Sequence, residues 1–220
     1  PISAMPATTS ADAHSSIEEI LTFWFGELDG VADVDASKNK LWWAGGAAAD
    51  SLIAERFGDL VTAARAGELR SWCDTARGCL ALVILLDQFT RCLGRGTGDA
   101  FAGDSAALRV SLTAQELGHD RELRPIERAF LYMPMMHAED PDIANRSVET
   151  FGQLSEEIAS LGKDGYPDFR SHAVTHANTV LRFGRYPHRN ELLGRTSTPA
   201  EVSYLADGAP TYGQSARQAP

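Results

Sequence analysis

Between Asp74 and Leu93 the chain runs for about twenty residues whose centre, CLALVILLDQF, is apolar nearly all round and yet holds one acid, Asp87. A segment of that length exceeds the usual strand of about 4–8 residues, so it predicts a helix. A helix without a polar face belongs at the centre of a molecule. Its acid then needs a partner, because an unpaired carboxylate is costly to bury. Arg91 stands four residues on, the spacing of an ion pair on one helix face, with Arg95 a further turn along. Asp87 and its neighbour Gln88 are accordingly expected as structural polar residues.

The remaining periodic segments are also helical. Ile17, Ile20, Leu21, Trp24 and Phe25 recur behind Ser15 and Ser16, each with a Glu three residues on. Leu52, Ile53, Phe57, Leu60 and Val61 mark a second helix that stops near Gly67, with Trp42 and Trp43 packing at its entrance. Beyond the glycine-rich GRGTGDAFAGD turn, a helix is expected from about Ser105 to Leu117 with Asp104 as its cap. The next follows Pro125, with Pro134 as a kink or break. Others cover Ile143 to Leu161, Pro167 to about Phe183, and a short stretch after Thr198. No segment alternates with a two-residue period between hairpin turns. The expectation is an all-α chain of seven to eight helices in stacked antiparallel hairpins. Residues 15–206 form its single domain, residues 1–14 a disordered lead-in or cloning remnant, and residues 207–220 a flexible tail.

Composition narrows the partners. Twenty Lys and Arg against 30 Asp and Glu give a net charge of −10, which disfavours nucleic acid and anionic membrane surfaces. The longest apolar run, Cys79 to Leu86, is far short of the roughly 20 residues needed to cross a bilayer. Cys73, Cys79 and Cys92 form neither a disulfide framework nor a C-x-x-C pair, and read as thiols of a reducing cytoplasm. The sequence is compatible with a homodimer and shows no cofactor fingerprint, neither a P-loop nor a dinucleotide motif.

The charge is unevenly spread. Arg170 to Arg195 carries five arginines against the single acid Glu191, a formal +4 inside a body of −14. Arginine without lysine suits bidentate recognition of carboxylate or phosphate, although internal ion pairing is an equal reading. Within this segment RFGRYPHRN presents Arg182, Arg185, His188, Arg189 and Asn190 from an irregular loop after a helix. His137 and Glu139 follow the Pro134 break and could serve as base and orienting acid. His172 and His176 stand at metal-ligand spacing on one helix but lack the Glu of H-E-x-x-H, so no metal is assigned.

TFWFG, LALVILLDQFTR, GRGTGDAFAGD, RAFLYMPMMHAED and above all RFGRYPHRNELLGRTSTPAE resemble the bacterial domain-of-unknown-function family numbered 924, over about Ile17 to Leu205. The resemblance implies an all-α, tetratricopeptide-like fold and no established activity. Its characteristic polar positions fall here on Asp87, Gln88, Arg91, Arg95, His137, Glu139, His176, Arg182, Arg185, His188, Arg189 and Asn190. The chain departs from the family's F-P-R-N pattern at Thr90 and Cys92, and lacks a usual glutamine around Pro141 to Asn145.

The expected function is the binding of a small anionic molecule, carboxylate or phosphate, by Arg182, Arg185 and Arg189 with Arg91 or Arg95, and by His188 and Asn190. An enzyme using His137, Glu139 and His176 for acid–base chemistry in the same pocket is the first alternative. A peptide- or protein-binding helical scaffold is the second.

Overall fold

The computed structural model describes residues 10–163 and 165–212. Among these, regular structure consists of nine helices and short 3-10 turns, with no strand. The helices are α1 (Ser10–Phe25), α2 (Asn39–Ala44), α3 (Ala47–Ala66), α4, α5 (Asp104–Glu116), α6 (Pro125–His137), α7 (Pro141–Ser160), α8 (Phe169–Phe183) and α9 (Pro199–Ala206). Here α4 is continuous through an α-helical Ala76–Val83, a π-helical Ile84–Phe89 and an α-helical Thr90–Leu93. The helix beyond the expected seven or eight is α2, a short one that carries Trp42 and Trp43. No described helix is long and apolar enough to cross a membrane.

The apolar segment forms the axis as expected. Every residue from Gly78 to Asp87 is buried, and α4 packs against α1, α3, α5 and α6. Thr75 caps its start, accepting from the Gly78 amide at 3.1 Å. The neighbours present narrower stripes: Ile17, Ile20, Leu21 and Trp24 on α1, and Ile53, Phe57, Val61 and Ala64 on α3. Helices α6, α7 and α8 then pack successively on one another, and α8 also reaches back to α6.

Local expectations are corrected at four points. Helix α1 begins at Ser10, so Ser10–His14 is helix and not lead-in, while residues 1–9 lie outside the described residues. Pro134 does not interrupt α6, which runs unbroken to His137. Its flanks from Ala129 to Met136 are buried, and that packing offsets the one backbone hydrogen bond the proline removes. Asp104 does not cap α5, whose N-cap is Gly103; its carboxylate turns inward to Arg91 and Arg189. At the far end of the chain, Tyr212 packs on His176 with ring centroids 4.0 Å apart, so residues 207–212 return to the body instead of trailing from it. Residues 213–220 of the expected tail lie outside the described residues.

The glycines of GRGTGDAFAGD serve close approach. A Cβ on Gly103 would stand 1.9 Å from the Leu86 carbonyl oxygen, and one on Gly94 would stand 2.3 Å from the Ala100 nitrogen. The turn therefore lies directly on the π-helical part of α4 and delivers Asp104 beside Arg91. Gly103→Ala should force these backbones apart and lower stability by about 1–3 kcal/mol. Urea unfolding checks this, and an unchanged midpoint would show that the contact is looser than described.

Candidate functional site

A cavity of about 1110 Å³ opens among α2, α4, α6, α8 and the 3-10 turn Pro187–Arg189. One side is aromatic, with Trp42, Trp43, Tyr166 and Phe169. Trp43 is 48% exposed although it is a large apolar side chain, and it stacks on His172 at 6.0 Å with the rings 14° from parallel. The other side carries Gln88, Arg91, His137, His176, His188 and Arg189. Mostly apolar walls with a few converging polar groups are the usual make-up of a small-molecule site.

Asp87 organises the polar side. Its carboxylate is fully buried and accepts from Arg91 Nη1 at 2.9 Å, His137 Nδ1 at 2.7 Å and Gln88 Nε2 at 2.6 Å. Burial alone would raise its pKa, but Arg91, His137 and Gln88 outweigh burial and hold it well below the usual carboxylate range. Arg91 also makes a two-pronged contact with Asp104, at 2.8 and 3.1 Å. Arg189 joins from the loop, donating to Asp104 at 3.0 Å and to the His137 carbonyl at 3.0 Å. Its guanidinium lies over both the Phe101 and the Tyr186 rings, at 4.5 and 4.4 Å from their centroids. Its buried Nε has no partner among the described residues.

His137, His176 and His188 are neutral near pH 7. Burial, reinforced by Arg91, lowers the His137 pKa against the opposing pull of Asp87. Burial, with His137 and Arg189 nearby, takes His176 down to about 2, and burial with Arg189 takes His188 down to about 3. Because a carboxylate only accepts, the proton of neutral His137 sits on Nδ1 and its Nε2 keeps a lone pair. Tyr186 donates its hydroxyl to the Met136 carbonyl. His176 Nδ1 lies 3.2 Å from that carbonyl and 3.0 Å from the hydroxyl oxygen, so it too carries the proton. Neither Nε2 has a partner among the described residues, and neither is sealed from solvent. The two rings stand 5.7 Å apart.

The other expected site residues are dispersed. Arg95 lines the cavity but is held by Asp50 at 2.7 and 3.1 Å. Arg182 lies outside it, exposed, over the Phe183 and Tyr204 rings. Arg185 pairs with Glu201 at 2.7 and 2.8 Å, and Asn190 serves the same corner through Ser197 and Arg195. Glu139 does not orient His137; it pairs with Arg195 at 2.6 and 2.9 Å and accepts the Tyr186 amide at 2.8 Å. The +4 segment is thus largely matched by acids on other elements. His172 and His176 do not converge on a metal site, His172 being stacked on Trp43 and His176 turned to Tyr186. No cluster of three or more His, Cys, Asp or Glu suited to a metal occurs among the described residues. Asp104, Trp43, Tyr186 and Tyr212 went unread as site residues. Only Asp104 carried a signal, in its place at the end of the glycine turn.

These histidines tie stability to pH. Their folded pKa values lie below the unfolded value of about 6.5, so the unfolded chain takes up protons that the native chain refuses. Stability should be level from pH 8 to 7 and should fall between pH 6.5 and 4.5, by at most about 1.4 kcal/mol per pH unit for each histidine. His176→Phe should flatten that slope, whatever it does to the absolute melting temperature. Thermal melts across this range check it; a pH-independent melt would mean that the imidazoles accept protons within the fold.

The comparisons agree with this architecture. A solved structure of a protein of unknown function from Agrobacterium tumefaciens, ATU0120, matches with a TM-score of 0.76 and 34% identity, covering 90% of this chain and 100% of that one. No curated protein matches. The family model described as a bacterial protein of unknown function, DUF924, matches residues 20–209, and the chain belongs to that family.

Proposed function

We propose that this chain binds a small organic molecule in the cavity between Trp43 and His137, and that His137, held by Asp87, accepts a proton or a hydrogen bond from it. The observation that carries this reading is the 2.7 Å contact from the fully buried Asp87 to His137 Nδ1, which leaves the Nε2 of this cavity-lining residue as an acceptor without a partner among the described residues. A buried acid orienting an imidazole in this way is the arrangement a general base requires. The enzymatic alternative therefore rests on Asp87 and His137, with His176 nearby, and not on Glu139.

The small anion remains a second reading. What favours it is that Arg91, Arg95 and Arg189 line one cavity and that the Arg189 Nε has no partner among the described residues. Against it, a carboxylate or phosphate would have to compete with Asp50, Asp87 and Asp104, which already engage those guanidiniums. A peptide-binding scaffold is less well supported, since the polar groups converge in a cavity and do not line a groove. The tetratricopeptide-like stacking of hairpins draws support from the succession of α6, α7 and α8. The three free thiols suit a reducing cytoplasm.

Titration of a fragment library of amines, alcohols and carboxylates against tryptophan fluorescence tests the pocket. Ligands should quench tryptophan fluorescence in the parent protein and give a smaller response in Trp43→Phe, in which Trp24 and Trp42 still line the cavity. His137→Gln, which keeps a donor for Asp87 and whose fold circular dichroism would check, should weaken them about tenfold, or by about 1.4 kcal/mol. Binding that is unchanged in both variants would place the ligands elsewhere.

A further inference from the structure

Resting on the pocket reading above, the geometry points to a ligand class: a molecule with an apolar, aromatic-sized body whose polar head is a hydrogen-bond donor, an amine in its ammonium form, and not an anion. The first argument is hydrogen-bond accounting. Asp87 can only accept, so the Gln88 amide must turn its NH2 to Asp87 Oδ2, at 2.6 Å; the same NH2 lies 3.5 Å from Met133 Sδ. That leaves Gln88 Oε1 as an acceptor with no partner among the described residues, and it is not sealed from solvent. The same logic makes acceptors of His137 Nε2 and His176 Nε2. Three open acceptors on side chains of one cavity lining call for a head with several N–H donors, which an ammonium supplies and a carboxylate or phosphate does not.

Charge points the same way. The guanidiniums of Arg91, Arg95 and Arg189 are matched by Asp50, Asp87 and Asp104, and one further carboxylate, Asp168, lines the cavity with Arg170 and His172 nearby. An anion would therefore have to displace one of these carboxylates to engage a guanidinium. Trp42, Trp43, Tyr166 and Phe169 complete the case, because aromatic faces attract a cation as well as a hydrocarbon body.

The test compares 2-phenylethylammonium with 3-phenylpropionate, similar in body and opposite in head, by fluorescence titration of the whole chain at pH 7.5. The amine is expected to bind at least tenfold more tightly. Gln88→Lys keeps a donor for Asp87 but replaces the open acceptor by a cation, and should abolish amine binding while improving that of the carboxylate. Should Gln88→Lys fail to fold, Gln88→Met, which removes the acceptor without adding charge, should weaken the amine at least fivefold and leave the carboxylate unchanged. Equal or tighter binding of 3-phenylpropionate by the parent protein would overturn the ligand class and leave the pocket standing. Amine binding that is indifferent to the Gln88 substitutions would likewise overturn it. If neither probe binds, the pocket reading falls together with the inference.

Discussion

A carboxylate buried without exposure at the centre of an apolar helix is the interaction on which the rest of this molecule depends. Asp87 cannot ionise there unless opposite charge and donors surround it, and removing one partner of such a buried pair typically costs about 3–5 kcal/mol. Arg91 supplies the charge from the next turn of the same helix, while Gln88 and His137 supply further donors. Arg91 in turn engages Asp104 at the head of α5, and Asp104 engages Arg189 from the loop beyond α8. One burial problem thus ties together α4, α5, α6 and a segment 100 residues further along the chain.

The same network determines what the cavity can do. Arginines that would have made an anion site are occupied in keeping Asp87 and Asp104 buried, and their positive field helps to hold His137, His176 and His188 neutral. Neutral imidazoles whose Nδ1 is committed to the protein present lone pairs outward. The polar wall is consequently rich in acceptors, although its composition of arginine and histidine suggests the reverse.

Much of this was legible in the sequence, and the limits have physical causes. The helices were readable because their stripes follow the 3.6-residue period, as Ile53, Phe57 and Val61 do on α3. The pairing of Asp87 with Arg91 followed from i, i+4 spacing and the cost of burial. What stayed hidden depended on contacts between distant segments. Glu139 and Arg195 are 56 residues apart and Asp104 and Arg189 are 85 apart, and nothing local distinguishes an arginine that meets a carboxylate across the fold from one that awaits a ligand. The π-helical turn at Ile84–Phe89 was equally invisible, since its residues have the same helical propensity either way.

That turn connects the structural and chemical roles of Asp87. A π turn accommodates one more residue than an α turn, and it is bonded on by Thr90, whose hydroxyl donates to the Leu85 carbonyl at 3.0 Å. Both Asp87 and Gln88 belong to it, and the glycine turn packs its Gly103 onto the Leu86 carbonyl between them and the apolar half of the helix. Such turns are uncommon and recur at functional sites, because they trade regular helix geometry for the placement of particular side chains. Here the side chains so placed are the acid that fixes the His137 tautomer and the amide whose oxygen is left open. A carboxylate serving stability alone would be met equally well by a second arginine. One that orients an imidazole at a cavity wall, with its own amide neighbour turned to leave an acceptor beside it, makes the arrangement that the proposed ligand would meet.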